Sequence, residues 1–260
     1  MAIVRSILTG VKTCGSGLLD LLLPSVCPAC NADAPAAGGL CDRCNVKLLA
    51  LAALDYCPRC GASVGPNVKA YPEGCTLCPT TLGRFEQVVR LGPYADPLKA
   101  VIRGLKYRRQ DAMLSRLSGL LAAAVSARVQ RELDVVLHVP MHWRRRLSRG
   151  HDHAHLIASA LAGRLNLPLG DELSRVKDNA PQAQLPRSRR LVNVKGAFAV
   201  RAARTLCGAH VLLVDDVTTT GATANEATRR LLEAGASLVT LAVLAKSEPP
   251  RAYAHLAAEV

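Results

Sequence analysis

Eight of the ten cysteines fall into four Cys-x-x-Cys pairs, Cys27/Cys30, Cys41/Cys44, Cys57/Cys60 and Cys75/Cys78, all in the first third of the chain. Two residues between two thiols let one tight turn aim both at a single ion, and two such turns complete a tetrahedron. Four pairs therefore predict two structural zinc sites of four thiolates each, with no position left open for a reacting water. Spacing alone leaves open whether neighbouring pairs share an ion or pairs one and three do. Pro28 and Pro58 follow the first cysteine of their pairs, and Gly61 follows Cys60, where a tight knuckle needs a permissive backbone. Disulfides fit poorly with the lack of an export signal. A thioredoxin-like redox site needs one pair beside a βαβ pattern, not four in tandem; an iron–sulfur cluster is the remaining alternative. Cys14 and Cys207 stand alone and read as small buried apolar residues.

The second constellation is Val211-Leu-Leu-Val-Asp-Asp-Val-Thr-Thr-Thr-Gly-Ala-Thr223. An apolar strand ends in two carboxylates, a short Thr/Gly loop follows, and a helix begins. A helix N-terminus presents unpaired N–H groups and a partial positive charge. Threonine hydroxyls and an unobstructed backbone at Gly221 can wrap a phosphate there. Two adjacent acids beside that cradle repel phosphate and instead suit the neutral hydroxyls of a diol. Phosphate next to diol describes a ribose 5-phosphate. Helix capping by itself asks for one acid, not two in tandem before three threonines.

These residues resemble the phosphoribosyl diphosphate (PRPP) loop of type I phosphoribosyltransferases. From about Leu18 to Lys246 the chain resembles the competence protein F family, which joins N-terminal zinc ribbons to such a domain. The other matching stretches are Val139-Pro140 with its basic loop, Arg149-Gly150, Pro181-Gln-Ala-Gln-Leu-Pro-Arg-Ser-Arg-Arg-Leu-Val-Asn193 and Lys195-Gly-Ala-Phe198. The resemblance implies that Asp215 and Asp216 are the catalytic pair, holding the ribose 2- and 3-hydroxyls. It implies that Thr218, Thr219, Thr220, Gly221, Ala222 and Thr223 cradle the 5-phosphate. Arg144, Arg145 and Arg146 fall where the diphosphate leaving group binds and, with Mg²⁺, would neutralise it. Arg187, Arg189, Arg190 and Lys195 fall on a hood over residues 178–195 that would close on substrate and exclude water. Lys106-Tyr107 also resembles a position near the site. One stretch departs from the family, which commonly has an aromatic residue, Asn and Gln after Arg149-Gly150. Here the sequence is His151-Asp-His-Ala-His155. Asp152 is placed to N-cap the next helix, and His151 and His155, four apart, have metal-ligand spacing.

Phosphoribosyl transfer moves the ribosyl C1 from diphosphate to a nucleophile through a transition state of oxocarbenium character. Orientation, charge neutralisation and exclusion of water are what a protein supplies to it. The sequence reveals no base-specific pocket, so the acceptor stays open. Three readings follow: a phosphoribosyltransferase, a regulator with PRPP as effector, and a non-catalytic module of DNA uptake. The last follows from the family's association with natural transformation, which implies single-stranded DNA and a competence helicase as partners.

These residues need a scaffold. Apolar periodicity predicts helices over 96–106, 113–133, 152–166 and 222–234, the last closed by Gly235, and buried strands over 134–139, 197–200, 210–214 and 237–245. Strands alternating with helices predict an α/β fold with a mostly parallel sheet, and ligands in such sheets sit beyond the carboxyl ends of the strands. Together with the resemblance, the expected organisation is a helical lead-in over 1–26, a double zinc ribbon over 27–84 and a phosphoribosyltransferase-like domain over 85–260. The zinc stretch has few periodic apolar segments, so metal is expected to supply its folding energy.

The chain has 260 residues, half of them hydrophobic and 20% charged, which excludes general disorder. No apolar run approaches the ~20 residues of a bilayer span; no membrane insertion and a cytoplasmic location are expected. Formal net charge is +13, and Arg accounts for 25 of the 33 basic residues. Two four-thiolate zinc sites would lower that charge to roughly +9, still suited to polyanionic partners. Aromatic residues make up only 3%, against a broad base-stacking surface.

Overall fold

The computed structural model describes residues 26–34, 39–65, 68–71, 73–76, 78, 83–108, 111–144, 147, 152–178 and 192–248. Residues 1–25 of the lead-in, Cys14 among them, and Arg145, Arg146, Arg149-Gly150, His151 and the hood arginines Arg187, Arg189 and Arg190 lie outside the described residues.

A four-stranded, all-parallel sheet forms the centre, in the order β3 (Gln87–Pro93), β8 (Leu238–Lys246), β7 (His210–Thr218), β4 (Val135–His138). Its strands are apolar on both faces because both are covered. On β7, Leu212 and Val214 face one core while Val211 and Leu213 face the other. The first core is closed by helices α2 (Leu98–Arg108), α3 (Asp111–Arg128) and α4 (His153–Leu165), and the second by α5 (Ala222–Glu233) with Phe198 and Leu206.

Several elements differ from expectation. Strand β7 continues past Val214 to Thr218, because β8 offers partners as far as Lys246. The acids therefore sit among the last residues of a hydrogen-bonded strand, not after it. Helix α3 stops at Arg128, and the next residues lead to the base of β4, where the Asp134 amide donates to the carbonyl of His210. The expected strand at 197–200 is β6 (Phe198–Val200), but it pairs antiparallel with β5 (Leu173–Arg175) outside the main sheet. Strand β3 has no counterpart in the expectations. Cys207, expected to be buried, is exposed. It lies at the end of a 3-10 turn, just before Gly208, where the chain reverses at the surface.

The ribbon region also holds helix α1 (Asp42–Ala53) and a two-stranded hairpin, β1 (Ala70–Tyr71) and β2 (Gly74–Cys75). Cys44 and Leu48, one turn apart on α1, are buried in the same core as Val89 and Leu91 of β3. Burying Leu48 completely is worth about 2 kcal/mol. This part of the ribbon thus gains apolar burial as well as any metal. The second ribbon has only a small apolar cluster around Cys57, Cys60 and Ala62.

Candidate functional site

The cysteines close into two sets of neighbouring pairs: Cys27, Cys30, Cys41 and Cys44, then Cys57, Cys60, Cys75 and Cys78. Within each set all sulfurs lie within 4.8 Å of one another. The Sγ···Sγ separations of 3.6 Å (Cys30–Cys41), 3.7 Å (Cys57–Cys78 and Cys60–Cys75) and 3.8 Å (Cys75–Cys78) match the ~3.8 Å edge of a tetrahedron with Zn–S bonds of ~2.3 Å. The local electrostatics fit a dication too. At Cys27 burial pushes the thiol up, but the amides of Cys41, Ala29 and Cys30 outweigh it and bring it to about 6. At Cys44 burial, then the neighbouring thiols, push it well above the ordinary range. One thiolate forms readily and its charge opposes the others; a divalent cation allows all four. Zinc here would supply structure, since four protein ligands close its coordination.

At Gly61 the second knuckle adopts φ +72°, and a Cβ would stand 3.0 Å from Val88 Cγ1. The knuckle packs this closely because the Val88 amide donates to the Pro58 carbonyl at 2.7 Å, extending the edge of β3.

At the carboxyl end of the sheet, β4 and β7 are neighbours, with His138 opposite Val214. The Val139 amide donates to the Val214 carbonyl at 2.8 Å, so the loop beginning at Val139-Pro140 leaves the sheet beside Asp215 and Asp216. Both aspartates are half-buried. Asp215 Oδ1 accepts from the Asp216 amide at 2.8 Å, and Asp216 Oδ1 accepts from the Val217 amide at 2.6 Å. Thr218 is buried, Thr219 and Thr220 are half-buried, and Gly221 is the N-cap of α5 at φ +77°. Thr220 Oγ1 accepts from the Ala222 amide at 3.4 Å, shaping the turn. Ala222 and Thr223 form the first turn of α5.

Other expected site residues surround this rim unevenly. Arg144 is exposed, its guanidinium 5.3 Å from the centre of the Trp143 ring. Lys195 is exposed, and its carbonyl accepts from Lys177 Nζ at 3.1 Å, drawing together the two ends of the segment read as a hood. At one end Asp178 Oδ1 is 3.7 Å from His142 Nδ1. At the other the Gly196 amide donates to Glu226 of α5 at 2.7 Å. The side chains of Lys106 and Tyr107 are outside the described residues.

Asp152 is the N-cap of α4, accepting from the His155 amide at 3.4 Å. Its other oxygen accepts from the Met141 amide at 3.0 Å, tying the cap to the Val139 loop. His155 meets the ring of His138 edge-on at 4.9 Å. Among the described residues, only the two cysteine sets are compact enough to hold an ion.

Sequence reasoning missed a depression that shares Thr218, Thr220 and Gly221 with the threonine loop and is also lined by Arg59, Phe85 and Lys246. None of these three was read as a site residue; Lys246 stands just past the strand expected over 237–245. Arg59 and Phe85 are brought there by the ribbon's contact with β3.

The Double zinc ribbon domain family matches residues 18–79, and the Phosphoribosyl transferase domain family matches residues 152–256. Competence protein F of Haemophilus influenzae is 29% identical over 218 residues, covering 82% of this chain and 92% of its own length. DNA utilization protein YhgH of Escherichia coli is 31% identical over 233 residues, covering 87% of this chain and 99% of its own. Competence protein ComFC of Bacillus subtilis is 27% identical over 200 residues, covering 75% and 79%. Similarity at this level, running through both the ribbons and the parallel sheet and spanning nearly the full length of YhgH, places the chain in the family of competence protein F and YhgH.

Proposed function

We propose that this chain binds a phosphoribosyl compound of the PRPP type at the carboxyl rim of its sheet, and that it does so in the service of DNA uptake or use. The observation that carries the reading is the juxtaposition of Asp215 and Asp216 with the N-terminus of α5, beside the loop that leaves β4 at Val139. Asp215 and Asp216 accept from the ribose hydroxyls. The amides and hydroxyls of 219–223 hold the 5-phosphate at a helix N-terminus. In this reading the diphosphate charge would be neutralised by the basic loop of Arg144, Arg145 and Arg146, and Lys195 with Arg187, Arg189 and Arg190 would exclude water from it. Mg²⁺ bound with the diphosphate would add to the neutralisation of its charge. In this reading residues 27–84 form the ribbon unit and 85–260 the binding domain.

Calorimetry with PRPP and Mg²⁺ tests it. The wild type is expected to bind, and Asp215→Asn/Asp216→Asn to lose at least tenfold, since a hydrogen bond to a charged group is worth about 1.5–3 kcal/mol. A wild type that does not bind contradicts the reading. Diphosphate release across a panel of bases and nucleotides separates a transferase from a PRPP sensor.

A second reading, single-stranded DNA binding, is favoured by the distribution of charge. Helices α1 to α4 carry Arg43, Lys47, Lys99, Arg103, Lys106, Arg108, Arg116, Arg128 and Arg164 against Asp42 and Asp111. On α5, by contrast, Arg229 and Arg230 pair with Glu226 and Glu233. Affinity for a single-stranded oligonucleotide is expected to fall steeply with salt, log K changing by roughly −0.7 per phosphate neutralised for each unit of log[salt]. A flat salt dependence contradicts it. A helicase partner would engage the protein bound to that strand.

A further inference from the structure

The two cysteine centres are joined to the rest of the molecule in different ways. The first is built around α1, whose Cys44 and Leu48 enter the helical core and whose Asn45 Oδ1 accepts from Arg116 of α3. The second is wired to the threonine loop by two short routes. One begins at Arg59, between Cys57 and Cys60, whose Nη1 donates to the carbonyls of Phe85, at 3.0 Å, and Glu86. The Phe85 ring in turn lies against Gly221, where a Cβ would stand 3.6 Å from Phe85 Cζ. The other begins at Ser63, just past the knuckle. Its amide and hydroxyl donate to the two carboxylate oxygens of Glu248, at 2.8 and 2.5 Å. Arg90 of β3, fully buried, closes the triangle, with Nη1 3.0 Å from Glu248 and Nη2 2.7 Å from Ser63 Oγ. Immediately before Glu248, the Ser247 amide donates to the Thr218 carbonyl at 2.8 Å, and Lys246 Nζ donates to the Thr219 carbonyl.

We infer that the second cysteine centre, and not the first, sets the position of the threonine loop, with Arg59, Ser63 and Glu248 as positioning residues. A buried carboxylate shared between a knuckle serine and a sheet arginine has little freedom to move, because any displacement leaves a desolvated charge without its partner. The knuckle is held in shape by its four sulfurs, so a metal bound there stiffens the loop through both routes. What the loop binds rests on the phosphoribosyl reading above; the coupling between centre and loop does not.

Amide hydrogen exchange on the full chain tests the inference. Three variants are compared with the wild type: Cys75→Ser/Cys78→Ser in the second centre, Cys30→Ser/Cys41→Ser in the first, and Arg59→Ala/Ser63→Ala, which keeps all eight thiols. Exchange is followed at 218–223, with 135–138 of β4 as the internal reference. The second-centre variant and Arg59→Ala/Ser63→Ala are expected to speed exchange at 218–223 by about tenfold or more while the reference is unchanged, the signature of local opening. The first-centre variant is expected to stay within about twofold of the wild type at 218–223. Equal acceleration in both cysteine variants, or no acceleration with Arg59→Ala/Ser63→Ala, overturns the inference. If loss of the second centre unfolds the whole chain, the Arg59→Ala/Ser63→Ala result decides. Calorimetry with PRPP and Mg²⁺ on the same proteins keeps the two claims apart. A wild type that fails to bind while the exchange pattern holds removes the phosphoribosyl reading and leaves the positioning role standing.

Discussion

Asp215 and Asp216 each accept a hydrogen bond from the amide of the next residue, which fixes one oxygen of each carboxylate at the end of β7. On α5, Glu226 does similar work at Gly196, where the segment read as a hood ends. It accepts from the Gly196 amide and from Arg229, and the Arg229 hydrogen bonds hold its carboxyl below the usual range against the opposing effect of burial. A lowered folded value means that Glu226 contributes stability above about pH 4.3, its unfolded value, and that this is lost as pH falls through the folded value. The urea midpoint of the wild type should therefore fall more steeply below about pH 4.3 than that of Glu226→Gln. Identical pH profiles would contradict the role given to Glu226. At this scale the cysteines were legible because ligand spacing is local. Two centres followed from the count, but which pairs share one did not, since that depends on how α1 and the hairpin fold back. The Ser63–Glu248–Arg90 triangle was invisible, its members being 185 residues apart at the extreme.

At the scale of elements, the strands that carry long apolar runs, β7 and β8, were legible, as was the N-cap of α4 at Asp152. The carboxyl end of β7 was not, because Asp215, Asp216 and Thr218 read as loop residues. The neighbouring β8 keeps them in the sheet, pairing Asp215 with Val243 and Thr218 with Lys246. Strand β3 was hidden by its own sequence, an arginine in the middle and Gly92-Pro93 at the end. Arg90 is tolerated in a buried strand because Glu248 and Ser63 answer its charge. Helix α1 was hidden because only Cys44 and Leu48 of its twelve residues are buried, too few to give a periodic signal. The separate β5–β6 pair could not be told from a strand of the main sheet, since pairing direction leaves no trace in three residues.

At the scale of the molecule, the alternation of strands and helices was enough for an α/β fold, and the residue motifs were enough for the family. Among the described residues no helix is long and apolar enough to cross a membrane. Helices α1 to α4, which pack on one side of the sheet, carry more basic than acidic residues, while the arginines of α5 on the other side pair with Glu226 and Glu233. The central claim is that a ribose phosphate docks on the carboxyl rim of the sheet with its hydroxyls toward Asp215 and Asp216. A crystal soaked with ribose 5-phosphate measures this directly. The account predicts the phosphate within hydrogen-bond distance of the amides of 219–223 and the 2- and 3-hydroxyls on the two carboxylates; a sugar phosphate seated elsewhere, or a rim with no ligand at saturating concentration, would contradict it.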